Sequence, residues 1–136
     1  GAVACDAKGH LTAATSTGGM TNKRYGRIGD TPIIGIGNYA NDASCAVSCT
    51  GHGEPFIRAV AAYDLSCLME YKELSLQAAA DYLVNDKWMK MEAAGGLIAA
   101  DAKGNLALPF NAEGMYTAAR REGEELQIGI YKEIKF

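Results

Sequence analysis

Two stretches of this sequence hold residues that could bind a small charged molecule and stabilise developing negative charge. The run TSTGGMTNKRYGRIGD, residues 15–30, groups Thr and Ser hydroxyls, a Gly pair, and then Arg27 and Asp30 three positions apart. A fork of N–H donors and a carboxylate therefore lie at one place on the chain. An amino-acid zwitterion needs that pair, one group for each of its charges; the same pair also serves as an ordinary loop salt bridge. The second stretch, SCTGHGEPF, places Thr50, Gly51 and Gly53 between an apolar strand and a helix start. Backbone N–H groups left unpaired there favour negative charge, as in an oxyanion hole, and the Thr50 hydroxyl offers a second donor. Gly-rich strand-to-helix turns are also common without such a role, and His52 is more often a solvated loop residue than a base. Neither His10 nor His52 has a Ser or Cys partner in a nucleophile motif, and GxxxxGK[ST], HExxH and Rossmann patterns are absent.

The elements that must position these residues can be read from periodicity. VACDAKGHLTAAT and IAADAKGNLALPF are both read as strand, D-A-K-G turn, strand, with Gly9 and Gly104 where a hairpin needs positive φ. A first helix is predicted from Pro55 to about Tyr71, with an apolar stripe of Phe56, Val60, Tyr63, Cys67 and Tyr71. A second is predicted from an N-cap at Ser75, burying Leu76, Ala80, Leu83 and Trp88 and ending at Gly95 and Gly96. Strands at 96–101 and 105–110, an irregular piece in NAEGMYTAARREGEE and a last strand in LQIGIY complete an α+β domain, in which a helix pair covers one face of a sheet. The strands at the start and at 43–50 are apolar at nearly every position, which predicts burial on both faces and a further layer beyond the sheet.

Composition narrows the function classes. The 136 residues, 49% hydrophobic and 21% charged, predict a single domain over residues 1–136 with a packed core. A net charge of −3 gives no basic footprint for nucleic acid or an anionic membrane. The uncharged stretches fall short of the ~18 residues that a membrane span requires. Cys5, Cys45, Cys49 and Cys67 lack zinc-ligand spacing and read as small hydrophobes in a reducing cytosol, Cys45 and Cys49 on one strand face.

The run ATSTGGMTNKRYGRIGDTPIIGIGNYA, with AVSCTGHGEPFIR, GGLIAADAKGN and LPFNAEGMY, resembles the β subunit of the plant-type asparaginases, also called isoaspartyl aminopeptidases. The resemblance implies an N-terminal nucleophile hydrolase with an αββα sandwich, made as a precursor that cuts itself before a threonine. The chain would be the C-terminal (β) fragment, which accounts for an opening GAVACD without methionine, and a separate α chain would supply the missing layer.

Function by resemblance is hydrolysis of L-asparagine and β-aspartyl dipeptides. By the same resemblance the nucleophilic threonine would stand two positions before Gly1, and its own α-amine, with an unperturbed pKa of ~7.7–8.0, would act as base. Thr17 would orient that nucleophile, Thr50 and the Gly51 N–H would hold the oxyanion, Arg27 would grip the α-carboxylate, and Asp30 with the Gly53 carbonyl would receive the α-ammonium. The resemblance implies an (αβ)2 assembly in the cytoplasm with no catalytic cofactor; a structural sodium or potassium ion would belong to the α chain. It assigns no role to the charges after Tyr116. Two other readings stand beside this one. Glycosylasparaginase shares the fold, although Gly18 replaces the bulkier Asn of those enzymes. A non-catalytic amino-acid-binding form is motivated by the threonine's absence from the chain.

Overall fold

A computed structural model of the chain describes residues 1–131; the end of the C-terminal run, residues 132–136, lies outside the described residues. The chain forms a hairpin of β1 (Ala2–Cys5) and β2 (Leu11–Ala14). A four-stranded antiparallel sheet follows, in the order β3 (Asn38–Ala40), β4 (Cys45–Gly51), β5 (Gly95–Asp101) and β6 (Leu106–Ala107). A small ribbon of β7 (Thr117–Ala119) and β8 (Gln127–Gly129) ends the described chain. The class is α+β with antiparallel sheets.

The two D-A-K-G segments close in the same way. Asp6 Oδ1 accepts from the N–H groups of Lys8 and His10, and Asp101 Oδ1 accepts from those of Lys103 and Asn105. In each turn the glycine, Gly9 or Gly104, adopts positive φ and donates to the aspartate carbonyl at 3.0 Å. An Asx turn followed by glycine is a complete local instruction, so chemistry alone fixes both hairpins.

Between β4 and β5 run α1 (Gly53–Ala59), α2 (Ala61–Lys72), and α3 (Leu76–Tyr82), which continues through a wide π turn (Leu83–Lys87) into α4 (Trp88–Lys90). The Ser75 hydroxyl caps α3 by accepting from Ala78 N–H at 3.3 Å, and Leu76, Ala80, Leu83 and Trp88 are buried as their spacing predicts. The first helix departs from expectation. Val60 takes a left-handed conformation (φ 50°, ψ 49°), which breaks the helix in two and rotates the register beyond it. A different set then faces inward: Ala61, Ala62, Leu65 and Ser66 are buried, while Val60, Tyr63 and Tyr71 of the expected stripe are exposed and Cys67 is half-buried. The second helix also ends earlier than expected, at Met91, and Gly95 and Gly96 open β5 instead. In the piece read as irregular, residues 117–119 form a strand by pairing with 127–129. The strand expected at 105–110 shortens to Leu106–Ala107 plus a single bridge between Gly96 and Phe110.

The strand β4 is central. Cys45, Val47 and Cys49 on one face join the core under α2 and α3, and burial pushes both thiols up, Cys45 to about 12. Ala46 and Ser48 on the other face lie under the β1–β2 hairpin, whose Cα atoms come within 8 Å of the sheet. Within this chain the hairpin is covered on one face. Val3, Cys5, Leu11 and Ala13 face the sheet, whereas Ala2, Ala4, Thr12 and Ala14 are exposed, because among the described residues only one of its faces has a layer against it.

Candidate active site

The sheet's design delivers Thr50 and Gly51 to the open end of β4, the only exposed residues of a strand otherwise buried throughout. Amide directions alternate along an antiparallel strand. Cys49 N–H donates to the Gly37 carbonyl at 2.8 Å, so the Gly51 N–H points to that same side, away from β5 and toward the segment around Asp30. The Thr50 side chain shares the face of Ala46 and Ser48, the face that carries the hairpin.

Behind this end, Gly95 lies opposite Gly51 in the ladder and is held by Asn111 from both directions. Gly95 N–H donates to Asn111 Oδ1 at 2.8 Å, and Asn111 N–H donates to the Gly95 carbonyl at 2.9 Å. Asn111 Nδ2 also donates to the carbonyls of Val84 in the π turn and Ala93. No Cβ fits at Gly95, where it would strike the Thr50 carbonyl and the Phe56 ring. One side chain thus braces the Thr50–Gly51 peptide from behind.

The long segment 15–37 crosses in front with little regular structure. The Thr15 hydroxyl donates to the Thr31 carbonyl at 2.9 Å, and Asn38 Nδ2 donates to Thr15 Oγ at 2.7 Å. This clasp brings Thr17, Arg27 and Asp30 to the mouth of β4. Together with Thr50, Gly51 and Gly1 they line one cavity of about 550 Å³. The Thr17 hydroxyl, exposed there, accepts from Gly19 N–H at 2.9 Å.

Asp30 is 5% exposed, and its Oδ2 is buried without a hydrogen-bond partner among the described residues. Burial raises its pKa above the ordinary carboxylate value, against backbone N–H groups and the Arg27 charge, which lower it. A buried carboxylate oxygen on a cavity wall is a receptor for a cation. Gly53 does not line the cavity. It is packed directly behind Asp30, where a Cβ would come within 2.7 Å of the Asp30 nitrogen, so only glycine lets α1 start there.

Glu54, beside it in the first turn of α1, is a site residue that sequence reasoning missed. Arg27 Nε donates to Glu54 Oε1 at 2.9 Å and Arg27 Nη2 to Oε2 at 3.1 Å, and this pairing holds the Glu54 carboxyl below its ordinary range. One edge of the guanidinium is thereby occupied, while Nη1 lies over Gly29, which lines the same cavity as Arg27. In sequence an acidic residue at a helix start explains itself by the helix dipole, and nothing local signals a partner 27 positions away.

Among the described residues no three His, Cys, Asp or Glu side chains gather as a metal set, and no helix is long and apolar enough to cross a membrane. His52 stands apart, on the wall of an adjoining cavity.

Comparison with known proteins identifies the family. Residues 1–130 match the family model described as asparaginase. Over 133 residues the chain is 59% identical to the isoaspartyl peptidase of Escherichia coli (strain K12), covering 98% of this chain and 41% of that protein. An isoaspartyl peptidase of Salmonella typhimurium is likewise 59% identical over 133 residues, with 98% and 42% covered. The isoaspartyl peptidase/L-asparaginase of Xenopus laevis is 41% identical over 131 residues, with 96% and 42% covered. The chain spans about two fifths of the length of these relatives. Because residues 1–130 of its 136 match the family model, the chain belongs to the asparaginase family.

Proposed function

We propose that this chain is the β portion of an amidohydrolase that cleaves the side-chain amide of L-asparagine and the β-aspartyl bond of isoaspartyl dipeptides. The observation that carries the reading is the unpartnered Oδ2 of Asp30 on the same cavity as the half-occupied guanidinium of Arg27. An α-ammonium at Asp30 and an α-carboxylate at Arg27 fix an aspartyl group at both charged ends. Its side-chain carbonyl then reaches the Thr50 hydroxyl and Gly51 N–H, and charge developing on that oxygen is stabilised by donors already in place.

The nucleophile belongs to the threonine that the family resemblance sets two positions before Gly1. Gly1 lies against Ser48, and the turn at the far end of the hairpin lies against Ala102, so β1 runs from the Ser48 level toward the Cys45 end. Chain ahead of Gly1 is therefore directed toward Thr50 and Gly51. The threonine hydroxyl, oriented by Thr17, attacks the amide carbon while its α-amine takes the hydroxyl proton. That proton passes to the leaving nitrogen, the C–N bond breaks, and ammonia or an amino acid departs, leaving an ester on the threonine. Water then adds to the ester, the C–O bond to threonine breaks, and aspartate is released with the hydroxyl restored.

The names of the relatives, isoaspartyl peptidase and isoaspartyl peptidase/L-asparaginase, support this substrate class. The same proposal includes self-cleavage of a precursor and an α chain covering the exposed hairpin face to complete an αββα sandwich. It also includes an (αβ)2 assembly without a catalytic cofactor, and any structural sodium or potassium ion held by the α chain. A cytoplasmic location suits four free cysteines.

The test is to supply the full-length protein with L-asparagine, a β-aspartyl dipeptide and glycosylated asparagine. Release of ammonia and of the dipeptide's second residue is expected. Turnover of the glycosylated substrate alone would reassign the protein as a glycosylasparaginase, and aspartate binding without turnover would make it an amino-acid-binding relative.

A further inference from the structure

Arg27 and Asp30 sit on a loop, residues 15–31, whose two ends meet at one carbonyl. Thr31, next to Asp30, offers that oxygen: the Thr15 hydroxyl donates to it at 2.9 Å and Asn38 Nδ2 at 3.2 Å. Asn38 Nδ2 also donates to Thr15 Oγ at 2.7 Å, so the three groups close a triangle. A carbonyl cannot donate, so the Asn38 group that faces it is the amide NH2, and both of its protons are used. Asn38 is itself fixed, since it opens β3 opposite Ser48 in the ladder. We propose that Asn38 is a positioning residue for the aspartyl end of the substrate, acting through Thr15 and Thr31 to hold Arg27 and Asp30 at the separation its two charges require. The inference rests on the amidohydrolase reading above.

The two anchors depend on this closure to different degrees. Asp30 is set between two glycines: a Cβ at Gly37 would come within 2.5 Å of the Asp30 carbonyl oxygen, and one at Gly53 within 2.7 Å of its nitrogen. Thr31, which follows it, is the residue that the triangle grips. Arg27 is held more loosely. The backbone bonds near it are local turns, from Lys23 N–H to the Met20 carbonyl at 3.2 Å and from Arg27 N–H to the Arg24 carbonyl at 3.3 Å, and its side chain pairs with an exposed Glu54. A loop of this length with an open base samples many end-to-end separations. Apparent affinity then falls with the fraction of molecules whose loop is correctly shaped. Thr50 and Gly51 stand outside the loop, on β4, and are braced from behind by Asn111 through Gly95. Opening the triangle should therefore weaken capture of the aspartyl end more than it slows the chemistry. Thr17 is the one assigned catalytic group that shares the loop, so a smaller fall in kcat should accompany the rise in KM.

The test uses the full-length protein. Asn38→Ala removes both amide bonds and Thr15→Val removes the hydroxyl, whereas Thr15→Ser keeps it. Each of the first two changes should raise KM about tenfold, the scale of one net hydrogen bond, and equally for L-asparagine and a β-aspartyl dipeptide, with kcat falling by less. Thr15→Ser should behave like the unsubstituted enzyme. Because the triangle acts as a unit, Asn38→Ala combined with Thr15→Val should lose less than the product of the separate effects. A lower Tm with KM unchanged would reduce Asn38 to structural support and overturn the proposal. So would independent losses in the double variant, or a fall in kcat larger than the rise in KM. Should Asn38→Ala fail to fold, the contrast between Thr15→Val and Thr15→Ser carries the same test. Absence of asparagine turnover in the unsubstituted protein would instead refute the amidohydrolase reading, and calorimetric titration of aspartate into the same variants would then decide whether the triangle sets affinity.

Discussion

Arg27 and Glu54 form a two-pronged ion pair in which one edge of the guanidinium is committed to protein and the other is left to the cavity. The pair joins an irregular segment to the first turn of α1. It holds a long, otherwise mobile side chain in one orientation before ligand arrives. Removing the anchor and removing its support should therefore differ in size. Arg27→Ala should raise KM for L-asparagine roughly 10- to 100-fold, the range for hydrogen bonds to charged groups. Glu54→Gln should raise it only roughly two- to fivefold, since Glu54 is 58% exposed and solvent screens the pair. Steady-state kinetics on both variants checks the order; an equal loss would mean that Glu54 contacts ligand itself.

Thr50 is predicted to act on the transition state rather than on binding. Thr50→Val, close in shape but without the hydroxyl, should lower kcat by roughly 10²- to 10³-fold with little change in KM. A matching rise in KM with kcat preserved would assign the hydroxyl to ground-state binding.

Asp30 sets stability against binding. Burial raises its folded pKa above the unfolded value, so folding favours the protonated form. Stability linked to this group is fully present below the unfolded pKa and is lost as pH rises through the folded one. At neutral pH the ionised carboxylate is therefore a destabilising element that a bound ammonium would relieve. Asp30→Asn should raise Tm at pH 7 and abolish aspartate binding, and the Tm gain should vanish in acid. Thermal melts at both pH values, with calorimetric titration of aspartate, test the two halves separately.

Asn111 should matter to folding and to turnover alike. Its amide serves the Val84 and Ala93 carbonyls and the Gly95 N–H, and Asn111→Ala leaves all three without that partner. A destabilisation of roughly 1–3 kcal/mol is expected. Because Gly95 backs Gly51, kcat should fall more than KM rises, and combining the change with Thr50→Val should give less than the sum of the separate losses.

Much of this was legible in the chain because the instructions were local. The D-A-K-G turns, the Ser75 cap and the apolar spacing through Trp88 each specify their own geometry within a few residues. Arg27 and Asp30 were visible as a pair, and Thr50 and Gly51 as a strand end. What escaped depended on partners far away in sequence. Val60 reads as an ordinary helix residue, yet its left-handed turn exchanged the face offered by Tyr63 and Tyr71 for one of Ala61, Ala62 and Ser66. Glu54 and Asn111 carry no local signal because Arg27 and the π turn reach them only through the fold. The ribbon at 117–119 has weak patterning of its own and owes its form to pairing with 127–129.

The architecture of β4 has a further consequence for how the molecule opens. Its middle residues are shielded on both sides, and its last two emerge into solvent. Amide hydrogen exchange should accordingly show a steep gradient along seven residues, slowest at Val47 and fast by Gly51. The groups assigned to the oxyanion would then sit at the frontier between a protected stretch of strand and solvent, anchored by the former and free to meet solutes through the latter.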